Sequence, residues 1–216
     1  MKKTKLHFYC LTCLILWCTL VMIDVILRLD FVYHLPDIPY ELTVLGLEII
    51  VVALSVWTMW KYGTKEIFKF QYKASYIGYF FLFLILILAW NIFVVTHFPQ
   101  TRNQTALMES YNPYDQVMQL FFILSTVVIG PLLEEIVYRG VVMTALAFLK
   151  KYYIDVVVSA LLFALSHVLW RGLLLTDFLT YLIPGLLFAL YYRKTNDCIY
   201  YPILLHGFLN GLPFFI

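Results

Sequence analysis

One stretch of the sequence decides the fold of this chain: residues 130–139 read Gly-Pro-Leu-Leu-Glu-Glu-Ile-Val-Tyr-Arg. It places two adjacent carboxylates, Glu134 and Glu135, and the guanidinium of Arg139 in an apolar run whose flanking residues are uncharged. Ionisable groups at membrane depth are costly unless they are paired or line a water-filled cavity. The stretch is therefore a candidate functional site, and the rest of the chain is expected to surround it.

Composition places this stretch in a membrane protein. Of the 216 residues, 63% are hydrophobic and 13% are charged, which leaves too little polar surface to cover a water-soluble globule. The apolar runs lack the alternation of barrel strands, so the backbone groups must be satisfied within helices. The sequence predicts an all-α, polytopic transmembrane helical bundle that forms a single membrane domain over residues 1–216, with an intramembrane polar cavity. The net charge of +2 is too balanced to indicate a nucleic-acid partner.

About seven spans are predicted, since a bilayer core needs about 20 apolar residues per helix. The fourth would be roughly 50 Å long if wholly helical at 1.5 Å per residue. Gly130-Pro131 is the natural place for it to break, because proline removes an intrahelical hydrogen bond; a break would give eight spans. The predicted spans are residues 6–27, 42–60, 77–98, 117–149, 154–169, 178–192 and 199–215.

The connections between spans carry most of the charge. Residues 61–73 are interpreted either as a short helix on the membrane surface or as a basic loop. Residues 99–115 are expected to form a polar connection. Asp24 and Glu48 are expected near the outer ends of the first two spans, where a carboxylate can contact headgroup water.

The distribution of cations predicts the orientation in the cell membrane. Most of the 15 Lys and Arg residues fall in residues 2–5, 61–73, 150–151 and 193–194. Seven spans place all four segments on one side, which is the cytoplasmic side by the positive-inside rule. The amino terminus is therefore predicted in the cytoplasm and the carboxyl terminus outside.

Helical spacing separates the three charged side chains into a pair and a single carboxylate. Residues four apart share a helix face, so Glu135 and Arg139 are natural partners, whereas Glu134 points elsewhere. An unpaired carboxylate in an apolar cavity is a candidate general base acting on water. The competing interpretation is a purely structural ion-pair cluster of the three side chains.

Two histidines occur at comparable depth in later spans. His167 follows Phe163 by one helical turn, and His206 precedes Asn210 by one turn. A single buried histidine is usually a satisfied core group. Two of them, with an asparagine in register and a glutamate pair on another helix, favour a shared site.

Three motifs occur in order, each within an apolar span: Glu134-Glu135-x-x-x-Arg139, Phe163-x-x-x-His167 and His206-x-x-x-Asn210. Together they resemble the motif set of the CAAX prenyl protease type II and bacteriocin-processing (CPBP, or Abi) family of intramembrane proteases. The resemblance covers the carboxyl-terminal part of the chain, residues 116–216. It implies a membrane-embedded peptidase that cuts a peptide or membrane-protein substrate, near the cytoplasmic side of the bilayer, in bacteriocin immunity or peptide processing.

The resemblance also implies a role for each motif residue. Glu134 and His167 would position and activate a water, and His206 and Asn210 would stabilise the oxyanion. The supporting residues would be Glu135, Arg139 and Phe163.

Several alternatives stay open on the sequence alone. Zinc could be held by Glu134, His167 and His206, although the His-Glu-x-x-His signature is absent and metal-free hydrolysis is preferred. A non-catalytic membrane immunity or scaffold protein would use the cluster as structural glue. A transporter or proton relay is the weaker third alternative. The oligomeric state is not predicted.

Overall fold

The computed structural model describes residues 35–62, 65–169 and 172–214, and within these ranges the chain is helical without strands. The predicted all-α class is therefore confirmed. The first predicted span, residues 6–27, and Asp24 lie outside the described residues. The helices are α1 Asp37–Tyr62, α2 Ala74–His97, α3 Arg102–Tyr111, α4 Gln116–Met143, α5 Ile154–Val168, α6 Leu175–Lys194 and α7 Tyr200–Gly211.

Three of these helices, α2, α4 and α6, are long and apolar enough to cross a bilayer. Shorter apolar stretches are Leu42–Trp57 within α1 and α5. On α2, large side chains such as Ile85 and Val95 are 63% and 78% exposed. Apolar surface of this kind is stable in lipid and not in water, so the chain is a helical membrane protein.

The predicted break at Gly130-Pro131 is wrong, because α4 runs without interruption from Gln116 to Met143. Its α-helical segment Gly130–Glu135 lies between two π-helical segments, Leu124–Ile129 and Ile136–Met143. Pro131 follows the end of the first π-helical segment, where the pattern of backbone hydrogen bonds changes from π to α. The proline is thus accommodated by a change of helix type, and α4 is not divided into two spans.

The carboxyl-terminal end of α4 was predicted too far along the chain. After Met143 the backbone tightens into the 3₁₀ helix Ala147–Tyr152, and Tyr153 takes a left-handed conformation with φ of 55°. This turn leads directly into α5. The fourth span therefore ends at Met143 and not at residue 149 as predicted.

Two connections also differ from their predictions. Residues 65–68 form a 3₁₀ helix whose Ile67 is buried against α4, where a Cβ on Gly140 would lie 3.1 Å from Ile67 Cδ1. The segment is therefore anchored in the core, and is neither a surface helix nor a plain loop. The predicted polar connection 99–115 contains α3, which Thr101 caps by accepting a hydrogen bond from the Gln104 N–H.

The basic connections meet at one end of the bundle, here called the basic end (residues 65–73, 150–155 and 193–201). Tyr200 Oη donates to the Phe68 carbonyl at 3.0 Å, and Lys150 Nζ lies 3.0 Å from Asp197 Oδ2. The other end, here called the opposite end, comprises residues 98–115, 172–177 and 211–214. There the Arg102 N–H donates to Asp177 Oδ2 at 3.3 Å.

Helix α4 is the centre of the fold and contacts α1, α5 and α7. All eight residues of Ile136–Met143, including Arg139, are buried. The charged cluster therefore lies in the middle of the bundle.

Candidate active site

The predicted pair of Glu135 and Arg139 is formed. Arg139 Nη1 donates to Glu135 Oε1 at 2.9 Å, and both side chains are 0% exposed. Arg139 Nη2 donates to the carbonyl of Gly185 on α6, also at 2.9 Å. The guanidinium thus ties α4 to α6 while it neutralises one of the two carboxylates.

Aromatic rings enclose this guanidinium. Its carbon lies 4.9 Å from the Phe163 ring centroid and 5.5 Å from that of Phe188, within the range of a cation–π contact. A Cβ on Gly185 would lie 3.0 Å from Phe163 Cδ1, so glycine lets α6 approach α5 closely here. Phe163 therefore lies between Arg139 and the imidazoles of His167 and His206.

Glu135 has a second partner that the helical spacing did not predict. His206 Nδ1 lies 2.9 Å from Glu135 Oε1, the same oxygen that accepts from Arg139. An ionised carboxylate only accepts hydrogen bonds, so Nδ1 carries the proton. The other ring nitrogen, Nε2, then faces Glu134 Oε2 at 3.7 Å. Glu135 therefore orients His206 as well as pairing with Arg139.

His167 is oriented in the same way by its own helix. Its Nδ1 lies 2.9 Å from the Phe163 carbonyl oxygen, which can only accept, so Nδ1 donates and Nε2 faces Glu134 Oε1 at 3.8 Å. The imidazole stacks on the Tyr181 ring with centroids 4.3 Å apart. A local hydrogen bond and a stacked ring thus hold this side chain.

Glu134 lies where the two imidazoles converge. Each carboxylate oxygen faces one Nε2 atom, at separations too long for direct hydrogen bonds. Oε2 is buried and has no hydrogen-bond partner among the described residues. Three acceptors therefore point at one region, and a ligand there must supply the hydrogens. As predicted, Glu134 points away from Arg139 while Glu135 pairs with it.

Asn210 reaches the same cavity from α7. Its Nδ2 donates to the Thr126 carbonyl in the first π-helical segment of α4 at 3.1 Å. Close packing makes this contact feasible, because a Cβ on Gly207 would lie 2.7 Å from the Val127 carbonyl oxygen. Gly207 is thus a positioning residue that the sequence motif did not include.

A cavity of about 620 Å³ adjoins the cluster. His167, His206 and Asn210 are part of its wall, together with the rings of Phe163 and Phe188. Its lining contains no Asp, Glu, Lys or Arg side chain within the described part of the chain. A cavity therefore adjoins the cluster, its lining is mostly apolar, and the Glu134 carboxylate lies next to its two histidines.

Carboxylate and imidazole side chains are also the ligands that zinc prefers. Among residues 35–62, 65–169 and 172–214, no group of three His, Cys, Asp or Glu side chains is arranged to hold a metal ion. The candidate set of Glu134, His167 and His206 has carboxylate-to-imidazole separations of 3.8 and 3.7 Å.

Glu48 differs from its prediction. It lies in the interior of α1, away from both ends of that helix, and Ser125 Oγ is 3.0 and 2.9 Å from its two carboxylate oxygens. A third carboxylate at membrane depth therefore contacts α4, one residue before Thr126. Its long-range partner could not be read from the sequence, since the two residues lie on different helices.

The fold and this cluster define a class: a helical membrane protein with a buried carboxylate and two imidazoles beside an uncharged cavity. Residues 116–212 match the family model described as Type II CAAX prenyl endopeptidase Rce1-like. The chain is 33% identical over 95 residues to "Putative membrane peptidase YdiL" of Bacillus subtilis (strain 168).

That alignment spans 44% of this chain and 36% of the relative. No solved structure is significantly similar. The matched segment, which is less than half of the chain, contains all three motifs. The resemblance seen in the sequence is therefore confirmed.

Proposed function

We propose that this chain is an intramembrane endopeptidase that hydrolyses a peptide bond with a water activated by Glu134. The observation that carries the proposal is the position of the Glu134 carboxylate, which faces Nε2 of both His167 and His206 beside the cavity. A carboxylate and an imidazole that both accept hydrogen bonds fix both protons of a water molecule, and so direct its lone pair at a substrate carbonyl.

The chemistry then divides between three helices. Glu134 takes one proton from the water as its oxygen attacks the carbonyl carbon, while His167 Nε2 holds the second proton. The tetrahedral oxyanion accepts hydrogen bonds from His206 and Asn210. His206 Nε2 is an acceptor while the imidazole is neutral, so His206 must first take up a proton from solvent in order to donate from Nε2, and Glu135 at Nδ1 stabilises the resulting imidazolium. Glu134 finally returns its proton to the leaving amine as the C–N bond breaks.

Replacing Glu134 by Gln tests this assignment directly. The variant keeps the shape of the side chain but cannot accept the proton, so cleavage is expected to fall about 10²- to 10⁴-fold at unchanged folded yield. Cleavage would be followed by mass spectrometry on a library of membrane-anchored reporter peptides reconstituted with the purified protein. Glu109→Gln, an exposed carboxylate on α3, is the matched control and should cleave normally. Undiminished cleavage by Glu134→Gln would overturn the role of Glu134.

Chelation separates this mechanism from a zinc peptidase. Activity that survives exhaustive dialysis against a chelator supports metal-free hydrolysis. Activity that disappears and returns with added Zn²⁺ would instead assign Glu134, His167 and His206 as ligands.

The biological use is proposed to be processing of a secreted peptide or protection against a bacteriocin, as the family resemblance implies. A peptidase and a non-catalytic immunity protein differ in one observation. Protection that is lost in Glu134→Gln cells with normal membrane expression indicates catalysis. Protection that persists indicates binding by occupancy.

A further inference from the structure

We propose that Tyr181 is a positioning residue that links α3, a helix in the cavity wall, to the imidazole of His167. Its ring fixes the plane of His167 for the chemical step, and its hydroxyl holds α3 where that helix contacts the substrate. This inference rests on the proposed peptidase function and adds to it the element that binds the peptide. Tyr181 belongs to none of the three motifs, so tertiary contacts alone carry the argument.

The aromatic ring of Tyr181 lies almost flat against His167. The two ring centroids are 4.3 Å apart, and the ring planes are inclined by 23°. The hydrogen bond from His167 Nδ1 to the Phe163 carbonyl holds one edge of the imidazole, but a single hydrogen bond still allows the ring to rotate about it. A stacked ring removes this freedom and keeps Nε2 directed at Glu134. Tyr181 therefore completes the orientation of His167.

The hydroxyl of the same side chain reaches α3. Tyr181 Oη lies 2.9 Å from the hydroxyl oxygen of Thr101, a buried residue that caps the amino-terminal end of α3. The next residue, Arg102, donates its backbone N–H to Asp177 Oδ2, which is also on α6. The first turn of α3 is therefore tied to α6, and through Tyr181 it is tied to His167.

Helix α3 presents one face to the cavity. Four residues of this face line it: Asn103, Gln104, Leu107 and Met108. Their spacing places them on one side of a helix. None of the ten residues of α3 is buried, and its far end is held by Tyr111, whose ring centroid lies 5.1 Å from that of Phe214. The helix is thus attached at both ends, and its middle is left to contact a ligand.

The chemistry of this face suits an extended peptide. An amide side chain offers a donor and an acceptor, which match the N–H and C=O groups of a peptide backbone. The leucine and the methionine beside the two amides add apolar contact, and methionine adapts to side chains of different shape. The α3 face is therefore assigned to the backbone of the bound peptide, next to the imidazole that acts on it.

Two substitutions at position 181 separate the ring from the hydroxyl. Tyr181→Phe keeps the stacked ring and removes the bond to Thr101, so KM should rise about two- to tenfold, the effect of one lost hydrogen bond, at unchanged kcat. Tyr181→Leu also removes the ring, and kcat should fall about tenfold or more, because displaced catalytic groups cost up to about 10²-fold. A residue that only stabilised the fold would lower the yield of both variants without separating kcat from KM.

Tyr191→Phe is the matched control, since it makes the same change on the same helix. The Tyr191 hydroxyl is buried without a hydrogen-bond partner among the described residues, and Tyr191 does not line the cavity. Both kinetic constants should stay as in the unchanged protein. An equal rise in KM in Tyr191→Phe and Tyr181→Phe would overturn the role of the Tyr181 hydroxyl.

Thr101→Val tests the same bond from its other partner. Because the two hydroxyls form one hydrogen bond, the double variant with Tyr181→Phe should have a KM no higher than that of Thr101→Val alone. Increases in KM that multiply in the double variant would overturn the link between Tyr181 and α3.

A spin label on α3 tests the link without any cleavage. The four cysteines of the chain are first replaced by Ala: Cys10, Cys13, Cys18 and Cys198. Glu109→Cys then carries a nitroxide on an exposed position that lies on the side of α3 away from the cavity face. In reconstituted protein the label should become more mobile in Tyr181→Phe and stay unchanged in Tyr191→Phe. An unchanged spectrum in Tyr181→Phe would overturn the anchoring of α3.

Together these measurements separate the inference from the proposed function. A division of kcat and KM between the two Tyr181 variants, with a more mobile α3 in Tyr181→Phe, supports both proposals. Cleavage that shows no such division at normal folded yield overturns the role of Tyr181 and leaves the peptidase standing. If the unchanged protein cleaves no reporter, the peptidase proposal fails, and the spin label alone decides whether Tyr181 holds α3. Tyr181→Met takes the place of Tyr181→Leu if the leucine variant does not fold.

Discussion

Among the described residues, Arg139 and Arg193 are each held by a carboxylate, and their surroundings differ. Arg139 contacts Glu135 in the centre of the bundle, where the same carboxylate oxygen also contacts His206 beside the cavity. Arg193 contacts Asp155 at the basic end, and neither of these two residues lines that cavity.

The difference shows what an imidazole adds to a buried ion pair. An arginine and a carboxylate alone join two helices, as Arg193 joins α6 to α5. When the carboxylate also binds a histidine, the pair sets the orientation and protonation of a group that faces a ligand. The first network is expected to affect stability and chemistry together, and the second to affect stability alone.

The largest expected effect is that of Arg139→Met. It leaves Glu135 buried without its cation, which costs about 3–5 kcal/mol when one partner of a buried pair is removed. The folded yield and the thermal unfolding midpoint in detergent should both fall sharply. Arg193→Met is the matched comparison and should lose less, because the Arg193 side chain is 10% exposed and lies near the aqueous surface. An equal loss in the two variants would remove the distinction between the networks.

Gly207→Ala tests whether close packing of α7 positions the histidine. The added Cβ would meet the Val127 carbonyl at 2.7 Å, and backbone cannot give way as a flexible side chain can. We expect a loss of about 1–3 kcal/mol in the free energy of unfolding, as for other overpacked sites, with a lowered cleavage rate. Gly78→Ala on α2 is the control, since nothing lies within 4 Å of its added Cβ. If both variants behave like the unchanged protein, α7 is not held by this contact.

Ser125→Ala probes the third carboxylate, which belongs to neither arginine network. It removes the hydroxyl that donates to Glu48, and hydrogen bonds to charged groups contribute about 1.5–3 kcal/mol. The thermal unfolding midpoint should fall by an amount that corresponds to the lower end of this range, about 1.5 kcal/mol. Ser110→Ala, which alters an exposed hydroxyl on α3, should leave the midpoint unchanged. A midpoint unaffected by Ser125→Ala would mean that the Glu48 contact adds nothing to stability.

The smallest expected effect is that of Lys150→Ala at the basic end. Lys150 pairs with Asp197 at 3.0 Å, but its side chain is 55% exposed. Exposed ion pairs contribute about 0–1 kcal/mol, so Lys150→Ala should be nearly silent in thermal unfolding and in cleavage assays. A loss comparable to that of Arg193→Met would show that the basic-end network acts as one unit.

Prediction from sequence succeeded where a local pattern was sufficient. The spacing of Glu135 and Arg139 predicted their pairing, because a helix brings residues four apart together whatever surrounds it. The rule that proline interrupts a helix gave the wrong prediction at Gly130-Pro131, because α4 continues through the π-helical segment that precedes the proline. No pattern in the sequence distinguishes such a segment from an ordinary helical turn.

Contacts between helices were beyond local reasoning. The hydrogen bond from His206 to Glu135 and that from Ser125 to Glu48 join residues more than 70 positions apart. Such pairs depend on the rotation and depth of each helix, which are set by the packing of whole helix faces. The sequence therefore indicated which residues belong near the site but not which of them contact one another.

By itself, the sequence determined that this chain is a helical membrane protein with costly polar groups at depth, because hydropathy and helical periodicity depend on neighbouring residues alone. The tertiary structure decided that Glu135 serves His206, that Glu134 is left facing two imidazoles, and that the cavity lies at the end away from the cations. These features depend on how close α4, α6 and α7 come to one another, and that distance is fixed by side chains from distant parts of the chain.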